Sequence, residues 1–376
     1  HATTLSLNAE NDIYIGEIWM FPWIAGRVAF APGMSGEQQI DFKPKGVGSD
    51  INFTAKNILS RQDPLKMDPL YYPTIEHTGS VRFIAEENLE LGVLNFVSVN
   101  EKPTREMINE FRGGDIIFGL ETGDESISAA SVNFVNLDNA DKNHRVIISA
   151  SGDVRFLSGV NMTVPALSLT AKNFDANNSE ITVGGTFGSE LAVQDTLSLR
   201  GGSTIESLSP RGESDSAVPD PVSIDISSQQ LVLEPDSYIV ATNHGVNVTG
   251  DKPIANLNIQ SGEISLEDAF ISTKSTNAAK AGDLEVTATG IALDKDSRIG
   301  SYSFSKGESG DITIGSSRLT MSGGSAVESG LDQVVLEGEE RAPYAAGDSG
   351  DIKITSGVMH LEEGSYVRNA QIDNAL

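Results

Sequence analysis

At 376 residues, with 26 Lys plus Arg against 53 Asp plus Glu, the chain carries a formal net charge of −27. That balance argues against nucleic acid and anionic membrane surfaces as partners and suits solubility or divalent cations. The absence of cysteine excludes a disulfide framework and a thiolate metal site, and no apolar run is long enough for a membrane-spanning helix, 18–31 being broken by Pro22, Gly26 and Arg27.

From the N-terminus, Asp12-Ile13-Tyr14-Ile15 reads as the start of a short strand. The stretch that follows holds both tryptophans, Trp19 and Trp23, together with Phe21. Trp19 and Phe21 are expected to pack as a cap over an open strand edge, while Trp23 is kept as a ligand candidate because saccharide sites use exposed aromatic faces. Ile51, Phe53 and Ile58 begin a matching apolar unit, and Val81, Phe83, Leu89 and Leu91 fit with one extra residue. Between them, the insertion 60–77 carries Pro64, Pro69 and Pro73, and its Tyr71 and Tyr72 join Trp23 as ligand candidates. The segment 102–112 is expected to be a short helix, with Thr104 as N-cap, Met107, Ile108 and Phe111 on one face and Gly113-Gly114 as its stop. Asp115-Ile116-Ile117-Phe118 and Asp153-Val154-Arg155-Phe156 look like further coil starts, with the pairs at Val154 and Leu167 on different faces of one coil.

From Leu167 onward one spacing dominates. Apolar residues recur two, five and two apart: Leu167, Leu169, Phe174 and Ala176, then, one residue short, Leu191, Val193, Leu197 and Leu199. The pattern is clean in Ile224, Ile226, Leu231 and Leu233, in Leu257, Ile259, Ile264 and Leu266, and in Leu284, Val286, Ile291 and Leu293. It ends with Ile312, Ile314, Leu319 and Met321, then Ile352, Ile354, Met359 and Leu361. Self-similarity at such a period means stacked repeats, and the alternation inside each pair, with Ser, Thr, Gly, Asn and Asp between pairs, makes each repeat a coil of short strands. The expectation is an all-β parallel β-helix of about eleven coils, one continuous unit over 1–376, less regular over 1–150 and regular over 151–376. Two further insertions interrupt it, 209–221 and the acidic 331–348, whose Tyr344 is a third kind of ligand candidate.

Four coils open on Ser/Ala-Gly-Asp, at Ser151-Gly152-Asp153, Ala281-Gly282-Asp283, Ser309-Gly310-Asp311 and Ser349-Gly350-Asp351. Read structurally, the glycine supplies a positive φ at a corner and the Asp accepts from backbone N–H groups two residues on. Read functionally, Asp283, Asp311 and Asp351 stack on successive coils and share Ca²⁺, the one cofactor the sequence suggests. Nothing points to a catalytic residue. The five histidines lie in distant segments, and neither His-x-x-x-His nor Gly-x-Ser-x-Gly occurs. The alternative of a polysaccharide lyase or glycosidase requires a groove in which carboxylates converge with an Arg or Lys.

The run Ser309-Gly310-Asp311-Ile312-Thr313-Ile314, continued by Leu319-Thr320-Met321-Ser322-Gly323-Gly324-Ser325, resembles the passenger repeats of filamentous-haemagglutinin-like exoproteins. So do the run from Ser349 to Val367 and that from Ala281 to Ile299. The resemblance covers about 150–370 well and implies a right-handed parallel β-helix, export across a Gram-negative outer membrane, and a role in adhesion or as a surface spacer. The Asn-Pro-Asn motifs of that family's secretion domain are missing. On this reading the protein is secreted or at the cell surface, is not an enzyme, and binds a glycan or protein on a host or neighbouring cell, with self-association as a further expectation. The chain opens at His1 with no basic or apolar leader, so any export signal is expected to have been removed or to lie outside this segment.

Overall fold

Side chains two apart on one edge of a strand point the same way, and here they do so in ladder after ladder. The computed structural model describes residues 4–15, 27–29, 39–41, 50–60, 74–77, 80–92, 94–98, 107–119, 132–136, 144–157, 159–184, 188–208, 223–243, 255–275, 280–303, 307–331 and 348–370. Every regular element among them is a strand, and apart from one antiparallel pair, Arg27–Ala29 with Gln39–Asp41, the pairings are parallel. The protein is a parallel β-helix. Its contacts divide into two units, His1–Ile181 and Thr182–Leu376.

In the first unit the described strands fall into three parallel ladders. One ladder stacks Thr4–Asn8, Asp50–Ala55, Val81–Ala85, Met107–Gly113, His144–Ala150 and Leu167–Ala171. A second stacks Asp12–Ile15, Asn57–Ser60, Asn88–Leu91, Asp115–Phe118, Asp153–Phe156 and Asn173–Asn177. The third runs through Thr74–His77, Leu94–Ser98, Val132–Asn136 and Val160–Val164. Between the first two ladders the core is a file of phenylalanines. Phe53, Phe83 and Phe111 stack with centroids 4.8 and 5.7 Å apart, and Phe111, Phe118, Phe156 and Phe174 meet edge to face at 5.2, 5.2 and 5.1 Å. Each ring is fully buried, which contributes on the order of 2–3 kcal/mol per side chain beyond the geometric preference of the pairs.

Three expectations are corrected here. Residues 107–112 are strand rather than helix, because Phe111 is held between Phe83 and Phe118 while Met107–Gly113 pairs on both sides. That nonlocal pairing overrides a plausible local cap and stop. Asp12–Ile15, Asp115–Phe118 and Asp153–Phe156 are not coil starts but second strands of their coils. Val154 and Leu167 do not share a coil: Val154 pairs with Phe174, and Leu167 pairs back with Val146.

In the second unit Ser189–Val193 and Thr196–Arg200 are followed by single long strands, Ile224–Leu233, Leu257–Glu267, Leu284–Asp294, Ile312–Met321 and Ile352–Leu361. The interval of five now has a physical meaning. Pairing skips Gln229, Gly262, Thr289 and Ser317, so each strand bends at one unpaired residue and its alternation changes phase there. All four columns therefore point inward: from the rung of Ile224 to that of Ile312 their members are at most 2% exposed. At the last described rung Met359 and Leu361 of these columns are exposed, as are Val358, in the outward register of Gly290 and Arg318, and Val367, which pairs with Val327.

A tight turn follows Thr196–Arg200 and three of the long strands, Leu284–Asp294, Ile312–Met321 and Ile352–Leu361. Gly201-Gly202, Lys295-Asp296, Gly323-Gly324 and Glu363-Gly364 all have positive φ at both positions, the backbone of a type I′ turn. The following Ser203, Ser297 and Ser325 close it, their hydroxyls donating to the carbonyls of Arg200, Asp294 and Ser322 at 2.6, 2.5 and 2.6 Å. The chain then enters a second sheet, Thr204–Leu208, Tyr238–Asn243, Phe270–Ser275, Arg298–Ser303, Ala326–Leu331 and Tyr366–Ala370. One column of it is apolar, Ile205, Ile239, Ile271, Ile299 and Val327, but its neighbour buries Ser207, Thr273, Ser301 and Ser329. These hydroxyls bond one another or adjacent backbone, as in Thr273 to Ser301 at 2.9 Å and Ser309 with Ser329 at 2.9 Å.

Candidate functional site

Trp23, Tyr71, Tyr72 and Tyr344 lie outside the described residues. The stacking expected of Asp283, Asp311 and Asp351 is present, on consecutive rungs. Asp283 Oδ1 accepts the backbone N–H of Asp311 at 3.0 Å, and Asp311 Oδ1 accepts that of Asp351 at 2.8 Å. Asn256 serves Asp283 in the same way at 2.9 Å, and in the first unit Asp115 serves Asp153 at 2.9 Å. The acceptor thus reaches to the next coil rather than two residues along its own. The glycine before each Asp also works differently from the expectation: Gly152, Gly282, Gly310 and Gly350 have no positive φ. A Cβ on Gly310 would run into the Gly282 carbonyl oxygen, and one on Gly282 into that of Ala255, so the requirement is close approach of backbones. Among the described residues no group of three or more His, Asp or Glu side chains is placed to hold a metal ion.

The structure instead brings together residues from the regular stack. On the outward face of the long strands, Glu190, Asp225, Asn258 and Glu285 share one register column, and Ser227, Gln260 and Thr287 share the next but one. With Ile226 and Ile259 beneath, these side chains line a groove of about 490 Å³. A second hollow of about 380 Å³ shares Gln260 and Thr287 and continues over Ser261, Ala288, Gly315 and Ser316. The Asn258 amide donates to Asp225 Oδ1 at 2.7 Å. Three of the lining groups are carboxylates and none is a Lys or Arg. On the same face Arg318 reaches across Gly290 to Glu263 at 3.5 Å, and Lys353 is two rungs beyond Glu285. Ionised carboxylates only accept, whereas amides and hydroxyls do both, so the groove is suited to a ligand rich in hydrogen-bond donors.

A polar cluster on the second sheet spans three rungs. The Glu328 carboxylate, with 5% of its side chain exposed, accepts from Arg298 at 3.2 Å, Tyr302 at 3.1 Å, Tyr366 at 3.3 Å and Arg368 at 2.8 Å. Arg298 also donates to the Tyr366 hydroxyl at 2.9 Å. Burial works against the charge on Arg298, but the hydrogen bond with Tyr366 and the adjacent Glu328 outweigh it and raise its pKa above the ordinary arginine value. Gly300 makes room for this arrangement, since a Cβ there would collide with the Tyr302 ring. Every donor converges on one carboxylate, the pattern of an internal tie.

No family model, curated protein or solved structure matches the chain. Fold and groove therefore define it as a parallel β-helix with a polar, carboxylate-bearing outer face. Trp23, Tyr71, Tyr72 and Tyr344 all belong to departures from the repeat, whereas the groove lies on the repeat itself. Its signal was present as the residue between each apolar pair, in Ile224-Asp225-Ile226, Leu257-Asn258-Ile259 and Leu284-Glu285-Val286.

Proposed function

We propose that this chain is a β-helical shaft of a secreted or cell-surface protein, similar to filamentous-haemagglutinin-like exoproteins, with an adhesive or structural role. The observation that carries the reading is the outward polar register, Glu190–Asp225–Asn258–Glu285 beside Ser227–Gln260–Thr287, repeated from coil to coil on a rigid stack. A solenoid of this kind extends its binding surface with its length, and rigid strands hold recognition groups in place at low entropic cost. The resemblance of the Ser/Ala-Gly-Asp repeats supports the surface assignment. The test is retention of the whole chain on a saccharide array and on intact cells, with and without calcium. Retention on either supports adhesion, and silence on both leaves only a spacer role.

A second reading, lateral self-association, is favoured by Val358, a large apolar side chain 60% exposed on the outward register of Gly290 and Arg318. Sedimentation velocity over a concentration series tests it: Val358→Asp should abolish any concentration-dependent assembly.

A further inference from the structure

We propose that the groove over Asp225, Asn258, Gln260, Glu285 and Thr287 binds an extended neutral polysaccharide lying along the stack, roughly one sugar per coil. This rests on the shaft reading above and names the ligand of its sheet face. Shape comes first. The groove and the hollow continuous with it cross the strands Ser189–Val193, Ile224–Leu233, Leu257–Glu267, Leu284–Asp294 and Ile312–Met321. At about 4.8 Å between rungs, the four steps give a track of about 19 Å. An open track that advances by one rung per repeat fits a linear polymer whose repeat is of similar length better than a compact ligand.

Chemistry narrows the class. Glu190, Asp225 and Glu285 can only accept, so the ligand must donate, and three carboxylates with no lining cation repel a polyanion. A polycation would find charged partners only at Glu190, Asp225 and Glu285, whereas the continuing hollow offers the neutral hydrogen-bonding groups of Gln260, Ser261, Thr287, Thr289, Ser316 and Ser317. Hydroxyls satisfy both halves, donating to the carboxylates and exchanging hydrogen bonds with amides and hydroxyls. The site is also held in shape: Asn258 is tied to Asp225 at 2.7 Å, and the floor residues Ile226 and Ile259 are locked in the core.

Isothermal titration of the whole chain with neutral glucan, xylan and mannan hexasaccharides, with hexagalacturonate and with hexalysine tests the assignment. At least one neutral hexasaccharide should bind, its trisaccharide more weakly, and the acidic hexamer not at all. The double variant Asp225→Asn/Glu285→Gln and the blocking variant Thr287→Arg should each weaken binding by about tenfold or more while melting as the parent does, both changes being on exposed side chains. Unchanged binding in both variants, no binding by any neutral hexamer, or preference for hexalysine or hexagalacturonate overturns the proposal. If the variants keep the parent's retention on arrays or cells, the groove assignment fails and the shaft reading stands. If the parent itself is retained nowhere, the adhesive reading fails too.

Discussion

Asp311 and Asp351 occupy the same position on consecutive rungs, and the Asp311 carboxylate takes the Asp351 backbone N–H at 2.8 Å. The contact caps a donor just before the long strand, as at Asp283 and Asp311. Asp311→Ala should lower unfolding stability by about 1 kcal/mol, and Asp311→Asn by less because an amide oxygen still accepts. Urea midpoints measure both. With one oxygen of Asp283 and of Asp311 committed to the ladder, melting in calcium and in chelator should coincide. A rise in calcium would support a shared ion at Asp283, Asp311 and Asp351.

Gly282 and Gly315 should respond very differently to the same substitution. A Cβ at Gly282 enters the Ala255 carbonyl, whereas at Gly315 it meets only the Thr287 hydroxyl at 3.6 Å. Gly282→Ala is expected to cost about 3 kcal/mol by forcing coils apart, and Gly315→Ala to be neutral within about 0.5 kcal/mol. Thermal melts of the two variants side by side separate close approach from a general intolerance of side chains.

Asn109 lies in the inward column between Val81 and Val146, 1% exposed, with its Oδ1 unpartnered among the described residues. An unsatisfied buried acceptor costs more than an apolar group of similar size. Asn109→Val should therefore raise stability by about 1 kcal/mol, read from denaturant midpoints at unchanged slope.

Glu328 holds together Arg298–Ser303, Ala326–Leu331 and Tyr366–Ala370 through four donors. Glu328→Ala leaves the mostly buried Arg298 without its carboxylate and should cost about 3–5 kcal/mol. Glu328→Gln keeps both oxygen and shape and should cost less. Hydrogen exchange of 366–370 should accelerate more in the alanine variant, since Tyr366 and Arg368 both donate to the Glu328 carboxylate.

The columns from Ile224 to Met321 were legible because each inward residue is a large aliphatic whose spacing survives loops of any length. Residues 107–112 misled because Thr104 and Gly113-Gly114 imitate helix boundaries, while the deciding partner, Phe83, is distant in sequence. The coil starts at Ile13, Ile116 and Val154 were misplaced because the first and second strands of a coil carry the same alternation. The second sheet offers only one apolar column, Ile205 to Val327, too little to show as a repeat, since Ser207, Thr273, Ser301 and Ser329 are buried in place of aliphatics beside it. The groove escaped for a related reason: Asp225, Asn258 and Glu285 look like ordinary solvent-facing alternation until the register aligns them.

Carbodiimide labelling of carboxylates, read by mass spectrometry with and without a bound neutral hexasaccharide, tests most directly whether the regular stack is itself the binding surface. Protection of Asp225 and Glu285, with Asp311 and Glu363 labelled as before, is the expected result. Unaltered labelling of Asp225 and Glu285 under saturating ligand would contradict it.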